Sequence, residues 1–160
     1  MATTVAAETS SYVFDDRQIN WYKLGDFGAH FKPFEAHFVF TVLDVDVSQK
    51  LVDFMLKFPP NQRIFLHRHL ALTNTLVVQG EHRLYEPNGA LKEVRHVGSY
   101  TSSPPGEPHR EGAGDEGGVV FYSVRDKDGT LFEFLDDNLR GVGTLSVQNF
   151  VNVFKAQKNA

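Results

Sequence analysis

Over short stretches beyond residue 37, apolar residues recur at every second position, and clusters of Gly, Pro, Asn and Asp separate the stretches. That period of two is the mark of half-buried β-strands. Strands are predicted over His37–Val47, with a change of phase between the Phe38/Phe40 and Val45/Val47 pairs, over Leu51–Phe58 after a Ser-Gln-Lys turn, and over Gln62–His69 beyond the Pro59-Pro60-Asn61 stop. Asn74–Val78 and His82–Glu86 flank Gly80, Pro87-Asn88-Gly89 makes a hairpin turn, and Leu91–His96 returns. Gly98–Ser103, Val119–Val124 and Thr130–Leu135 complete the set, the last two joined by Asp126-Lys127-Asp128-Gly129. Only Ser146–Lys155 has helical spacing, with Val147, Phe150, Val151 and Phe154 on one face and Ser146 available as a cap. The pattern predicts an all-β sandwich or barrel with a short C-terminal helix that plugs a mouth or packs at a subunit contact. Gly112–Gly118 reads as a loop; with no following helix or basic residue it is not a phosphate cradle.

Composition narrows the chemistry. The 160 residues are 41% hydrophobic and 22% charged, which suits one globular domain. Residues 1–11 are small and polar and predict a flexible tail, and 12–160 hold no linker and predict a single domain. No apolar run reaches about 18 residues, and no basic segment leads into an apolar one, so no membrane association is expected and the cytoplasm is the expected compartment. The net charge is −4 with basic residues scattered, which offers no footprint for nucleic acid or anionic lipid and points to small-molecule chemistry. The absence of cysteine removes thiolate nucleophiles, zinc ribbons and iron–sulfur clusters, and leaves histidine, carboxylate and main-chain oxygen as metal ligands.

His67-Arg68-His69 is the first candidate, because strand side chains alternate faces and two histidines two apart project from one surface. Phe65 shares that face and Leu66 the opposite one, which sets the imidazoles against an apolar wall. Two imidazoles buried there without partners are costly, and a metal ion is one efficient partner.

Around this pair the chain resembles the cupins, whose signature has two blocks. The first runs Gly, five residues, His-x-His, three or four residues, Glu, six residues, Gly; here His67, His69 and Gly80 keep the spacing, Asn61 stands at the leading Gly, and Thr73 or Asn74 at the Glu. The second runs Gly, five residues, Pro-x-Gly, two residues, His, and Gly98, Pro104-Pro105-Gly106 and His109 match every defined position, with Ala113 where an Asn often follows. The resemblance covers residues 60–125 and implies the cupin double-stranded β-helix, a jelly-roll barrel. It makes His67, His69 and His109 ligands of a divalent metal, and a third imidazole on a facing strand would complete a facial triad. His30, His37, His82 and His96 lack such spacing and read as packed core or surface residues, His82 and His96 as exposed hairpin positions.

A carboxylate missing from the ligand set leaves a divalent ion's charge uncompensated and favours an anionic ligand. Short three-histidine cupins resemble the acetylacetone-cleaving β-diketone dioxygenases, in which Fe(II) binds a substrate enolate and dioxygen cleaves a carbon–carbon bond. The resemblance therefore implies a mononuclear dioxygenase acting with O2 on a small enolisable dicarbonyl substrate, with Fe(II) as the metal and Zn or Ni as alternatives. A zinc-binding cupin that senses a small molecule, as in the resembling anti-sigma-factor domains, and a cupin isomerase are the competing readings. Many cupins are homodimers, and by that resemblance Phe31–Phe40 is a subunit contact.

Further pocket candidates follow from position. Tyr122 shares the inward face of Val120 and Val124 and is expected to donate to bound oxygen or substrate, or to main chain, and Arg63 approaches an enolate from the rim or lies exposed. Thr73 and Asn74 orient a water or a histidine, or form a turn, and Phe65 walls the pocket. The dioxygenase group places an Arg and a Glu near the metal where this chain carries Tyr85 and Ser103. Gln79 is similarly uncommitted, Glu81, Glu107 and Glu111 read as solvated charges, and Trp21 and the fourteen phenylalanines as core or subunit contact.

Overall fold

A computed structural model describes residues 2–4, 13–34 and 38–160; most of the expected tail and the expected strand start at His37 lie outside them. Two short 3-10 turns, Leu24–Phe27 and Ala29–Phe34, precede β1 (Val39–Asp46), β2 (Leu51–Phe58), β3 (His67–His69) and β4 (Leu72–Tyr85). There follow β5 (Leu91–His96), β6 (Tyr100–Ser103), β7 (Arg110–Gly112), β8 (Gly118–Arg125), β9 (Thr130–Leu135), β10 (Gly141–Ser146) and α1 (Val147–Lys158). One sheet runs β1-β2-β8-β4-β5, with β6 and β7 also paired to β4, and the other runs β10-β9-β3. All pairs are antiparallel.

The expected jelly-roll barrel does not form: the two sheets of this cupin-like fold stay open. Between the segment 63–69, which ends in β3, and the segment 109–112, which holds β7, there are isolated bridges, His67 to His109 and Arg63 to Gly112, in place of a ladder. Pro104, Pro105 and Pro108 lack the N–H groups a ladder would need on this approach. On the other side α1 packs against β1, where the Gln157 amide donates to the Val42 carbonyl and accepts from the Val42 N–H, both at 2.9 Å, beside the β1 bulge. The helix thus fills the gap that backbone pairing leaves.

The core lies between the sheets and under that helix. On β8, Val120, Tyr122 and Val124 are essentially inaccessible, as the period of two requires, and Tyr122 stacks on Phe54 with centroids 4.8 Å apart. Phe150 of α1 closes on Phe54 at 5.3 Å, with Val147 and Val153 buried beside it. The Ser146 hydroxyl accepts from the Asn149 N–H at 3.2 Å while the Asn149 side chain accepts from the Ser146 N–H at 2.8 Å, a reciprocal cap that starts the helix. Phe31 and Phe40, in the segment expected at a subunit contact, are buried in this chain's own core. No helix among the described residues is long and apolar enough to cross a membrane.

Two elements differ from expectation in ways that shape the site. The separate strands predicted on either side of Gly80 are one 14-residue strand, β4, bulged between Val77 and Gln79. Gly80 has φ +65°, and the carbonyl of Gly117 occupies the space a Cβ would need, so the bend requires glycine. The second difference is that the stretch after His109 pairs as β7, where no strand was expected.

Candidate metal centre

β3 pairs with β9, His67 opposite Phe134 and His69 opposite Phe132, which pins three residues in extended conformation. Alternation sends both imidazoles inward and Arg68 outward to Glu133. The bridge to His109 is a reciprocal pair, the His67 N–H donating to the His109 carbonyl at 3.1 Å and the His109 N–H to the His67 carbonyl at 2.9 Å. The same alternation two residues on turns Glu111, on β7, to the same side. Ligand atoms of His67, His69, His109 and Glu111 all lie within 4.8 Å of one another.

The rings are aimed. The Nδ1 atoms of His67 and His109 meet the carbonyls of Phe65 at 3.0 Å and Glu107 at 2.9 Å. A carbonyl only accepts, so Nδ1 carries the proton and Nε2 presents its lone pair to the centre. His67 Nε2 then stands 3.3 Å from His69 Nε2 and 3.1 Å from Glu111 Oε2, and His109 Nε2 is buried with no hydrogen-bond partner. Converging lone pairs need a cation between them. Metal–nitrogen bonds of about 2.0–2.1 Å place neighbouring ligands roughly 3.0–3.4 Å apart, so the set fits a divalent ion of the imidazole-preferring kind.

Electrostatics agree with that donor set. Burial pushes His69 down to about 3 against the attraction of Glu111, with the neighbouring histidines adding to the drop, so it is a neutral ligand-ready base. Burial acts to raise the Glu111 carboxyl, but the imidazoles of His109, His67 and His82 that face it overcome that and hold the group well below 4.5. His109 is raised despite burial because the Glu111 carboxylate lies 3.8 Å from its Nε2 and the Glu107 carbonyl holds its Nδ1. Tyr122 is raised well above 10 by burial and by the Glu111 charge, and keeps its proton.

Two of these residues correct the sequence reading. Glu111 is 2% exposed, not a solvated charge, because β7 returns along β4 beside β3. His82 is fully buried, not an exposed hairpin position: its Nε2 lies 3.0 Å from Glu111 Oε1 and its ring stacks on Phe58. Glu107 and His96 do sit at the surface. Tyr122 donates to Glu111 Oε1 at 3.3 Å and lies 3.4 Å from His82 Nε2, so the carboxylate's second oxygen is held from behind by two groups on the first sheet.

The remaining candidates fall in three places. Phe65 packs edge-on to His67 and Phe134 in the wall of an apolar cavity. Thr73 and Ser103, paired across β4 and β6, line a polar hollow on the other side of the cluster; the Thr73 hydroxyl donates to the Ala71 carbonyl. Asn74 is buried on the opposite face of β4, its Oδ1 without a hydrogen-bond partner. Arg63 and Tyr85 are not brought to the centre: the guanidinium lies over the tyrosine ring at 5.0 Å and donates to the Gly89 carbonyl.

No family model matches the chain, and no curated protein matches it. Solved structures do share the fold. An acetylacetone dioxygenase from Acinetobacter johnsonii superposes with a TM-score of 0.68 at 12% identity, over 98% of this chain and 99% of that one. An RmlC-like cupin protein from Ralstonia eutropha JMP134 gives 0.69 at 18% identity over 94% and 89%. The DMSP lyase DddQ from Ruegeria pomeroyi DSS-3 gives 0.53 at 18% identity over 72% and 60%. A dioxygenase and a lyase on one architecture mean that the fold alone does not select the reaction.

Proposed function

We propose that this chain is a mononuclear metal-dependent dioxygenase that uses O2 to cleave a carbon–carbon bond of a small enolisable dicarbonyl compound, with Fe(II) held by His67, His69, His109 and Glu111. The observation that carries the reading is the convergence of four donor groups, of which His67, His69 and Glu111 are buried and line an apolar cavity. When bound, the metal would supply Lewis acidity toward an enolate and redox chemistry toward dioxygen.

The protein's own groups do the rest. The carbonyls of Phe65 and Glu107 fix the tautomer of His67 and His109, which keeps both Nε2 atoms available. Glu111 offsets one of the two positive charges of a divalent ion, and a monoanionic enolate offsets the other. A neutral ensemble is what an apolar enclosure tolerates. Tyr122 retains its proton and donates a hydrogen bond to Glu111 Oε1, so the Oε2 atom is the one presented to His67 and His69. Phe54, Phe65, Phe132 and Phe134 exclude water from the space where the substrate would sit.

Four protein donors also complete the coordination of a structural zinc, which is what favours the zinc-binding, non-catalytic alternative. Protein purified anaerobically without chelator or affinity tag, then loaded separately with Fe(II), Ni(II) or Zn(II), is assayed for oxygen uptake with acetylacetone and benzoylacetone. The expected result is uptake matched to diketone loss with Fe(II), and its loss in His109→Ala. Zinc retained through purification, with no uptake under any metal, would overturn the dioxygenase reading.

A further inference from the structure

We infer that a divalent ion enters and leaves the four-donor cluster through the polar hollow between β4, β5, β6 and the 104–108 loop, and not through the apolar cavity. This rests on the metal-centre reading above and adds the route by which the centre is loaded. His69 and Glu111 border both spaces, His67 borders the cavity and His109 the hollow. His109 is also the ligand that solvent reaches: 14% of its side chain is exposed, against 4% for His67 and 3% for Glu111.

A metal ion gives up its waters only where other polar atoms replace them. The approach through the cavity supplies none. Its partly exposed residues are Phe38, Phe65, Leu145 and Asn149, and the Asn149 Oδ1 already accepts from the Ser146 N–H and hydroxyl. Deeper in, the Tyr122 hydroxyl is turned to Glu111 and His82.

The hollow is built differently. Thr73 and Thr75 project into it from β4, with Ser103 across from Thr73 on β6. The Thr73 hydroxyl donates to the Ala71 carbonyl, and the Thr75 and Thr101 hydroxyls lie 2.6 Å apart. Each hydroxyl oxygen keeps a lone pair for a water of the ion's shell. Glu93, Glu107 and Glu111 face Lys92 and Arg95 across the space. Arg95 is held by both oxygens of Glu93, at 3.0 and 2.9 Å, and Lys92 lies 3.4 Å from Glu107 and 3.8 Å from Glu86. The surplus charge is negative and draws a cation inward. Around the rim, Pro104, Pro105 and Pro108 restrict the backbone. Hydrogen bonds tie that rim to two ligands: the Gly106 N–H donates to the His69 carbonyl at 3.1 Å, and the Glu107 carbonyl holds His109 Nδ1.

Size separates the two spaces as well. The hollow measures about 250 Å³ and the cavity about 80 Å³. A hydrated divalent ion carries about six waters, roughly 60–90 Å³ at roughly 10–15 Å³ each. That fills the cavity wall to wall and leaves room in the hollow.

Stopped-flow absorbance of Co(II) binding to the intact metal-free chain gives the association rate, and excess EDTA gives the dissociation rate. Ser103→Phe plugs the hollow and should slow both by about tenfold or more with Kd within about threefold, because a plug alters the path and not the bound state. Leu145→Trp plugs the cavity mouth and should leave both rates within about twofold. Lys92→Gln, at the exposed rim, should speed association about three- to tenfold at low salt, a difference that about 0.5 M salt removes. Rates that fall as far in Leu145→Trp as in Ser103→Phe, or in neither, would overturn the route. If Ser103→Phe fails to fold, an unchanged rate in Lys92→Gln beside a slowed one in Leu145→Trp would overturn it. An unaltered protein that takes up no Co(II) would sink the metal centre and the route together. The expected rates without diketone-dependent oxygen uptake by the iron form would sink the dioxygenase reading alone.

Discussion

The depressed His69 makes the metal-free protein lose stability on mild acidification, and the structure sets the window. Three perturbed groups share the cluster. Glu111 is held below 4.5, so its contribution is present above about pH 4.5 and is lost as pH falls through its folded value. His109 is raised above 6.5, so its contribution is present below 6.5 and is lost as pH rises through its folded value. Both are therefore constant between pH 6.5 and 4.5. His69, lowered from 6.5 to about 3, is not: the unfolded chain takes up a proton there that the folded chain refuses. The stability conferred by a neutral His69 is complete above pH 6.5 and declines down to about pH 3. At 1.36 kcal/mol per pH unit, integration gives a loss of about 2 kcal/mol between pH 6.5 and 4.5. Urea unfolding in the presence of a chelator at pH 6.5, 5.5 and 4.5 measures it, and His69→Gln, which cannot titrate, should flatten the dependence by that amount. The same slope in both proteins, or a His69 imidazole that titrates by NMR above pH 5, would refute the reasoning.

The other predictions concern what holds the carboxylate and what the metal adds. His82→Phe keeps a ring against Phe58 but removes the group 3.0 Å from Glu111 Oε1, and should weaken zinc affinity about 10- to 100-fold, measured by chelator competition, with the circular dichroism spectrum unchanged. Gly112→Ala sets a Cβ against the Gln62 carbonyl, displaces β7 next to Glu111, and should cost about 1–3 kcal/mol in urea unfolding. Zinc at a hundred times its Kd should stabilise the unaltered protein by about 2.7 kcal/mol, and the increment should vanish in His67→Ala.

Much of this molecule could be read from alternation and turn residues. The inward set on β8 follows from its period of two, the bounds of β2, β5 and β9 from the turn residues that flank them, and α1 from its apolar face and Ser146 cap, although the helix runs three residues beyond the expected Lys155, to Lys158. β10 escaped because two of the three residues Gly141-Val142-Gly143 are glycine and the strand lies at a sheet edge, where side chains on neither face need be apolar. His82 escaped for a sharper reason. Thr73, Thr75 and Val77 face inward at odd positions, and the extra residue between Val77 and Gln79 moves the inward face to even positions, so a bulge that sequence does not announce turns His82 into the core. Glu111 was within reach: the rule that paired His67 with His69 pairs His109 with Glu111, provided the segment after His109 is extended. Flanked by Arg110 and close to an exposed Glu107, it looked like one more surface charge.

Moving the carboxylate from the first motif block to the residue two beyond His109 changes what the centre does for the fold. His67 and His69 belong to the three-stranded sheet, whereas Glu111, His82 and Tyr122 belong to the seven-stranded one. The sheets are open and meet here through isolated bridges, so the backbone holds this junction weakly. A carboxylate at position 73 or 74 would also have come from the seven-stranded sheet, but from beside β6, with Thr73 facing the polar hollow. From β7, Glu111 reaches the histidines across the junction itself, braced from behind by two buried side chains. An ion bound by all four groups would therefore join the sheets where backbone pairing does not. The chemistry of the site and the integrity of the junction would then depend on the same ligands, and activity and unfolding should respond together to metal removal.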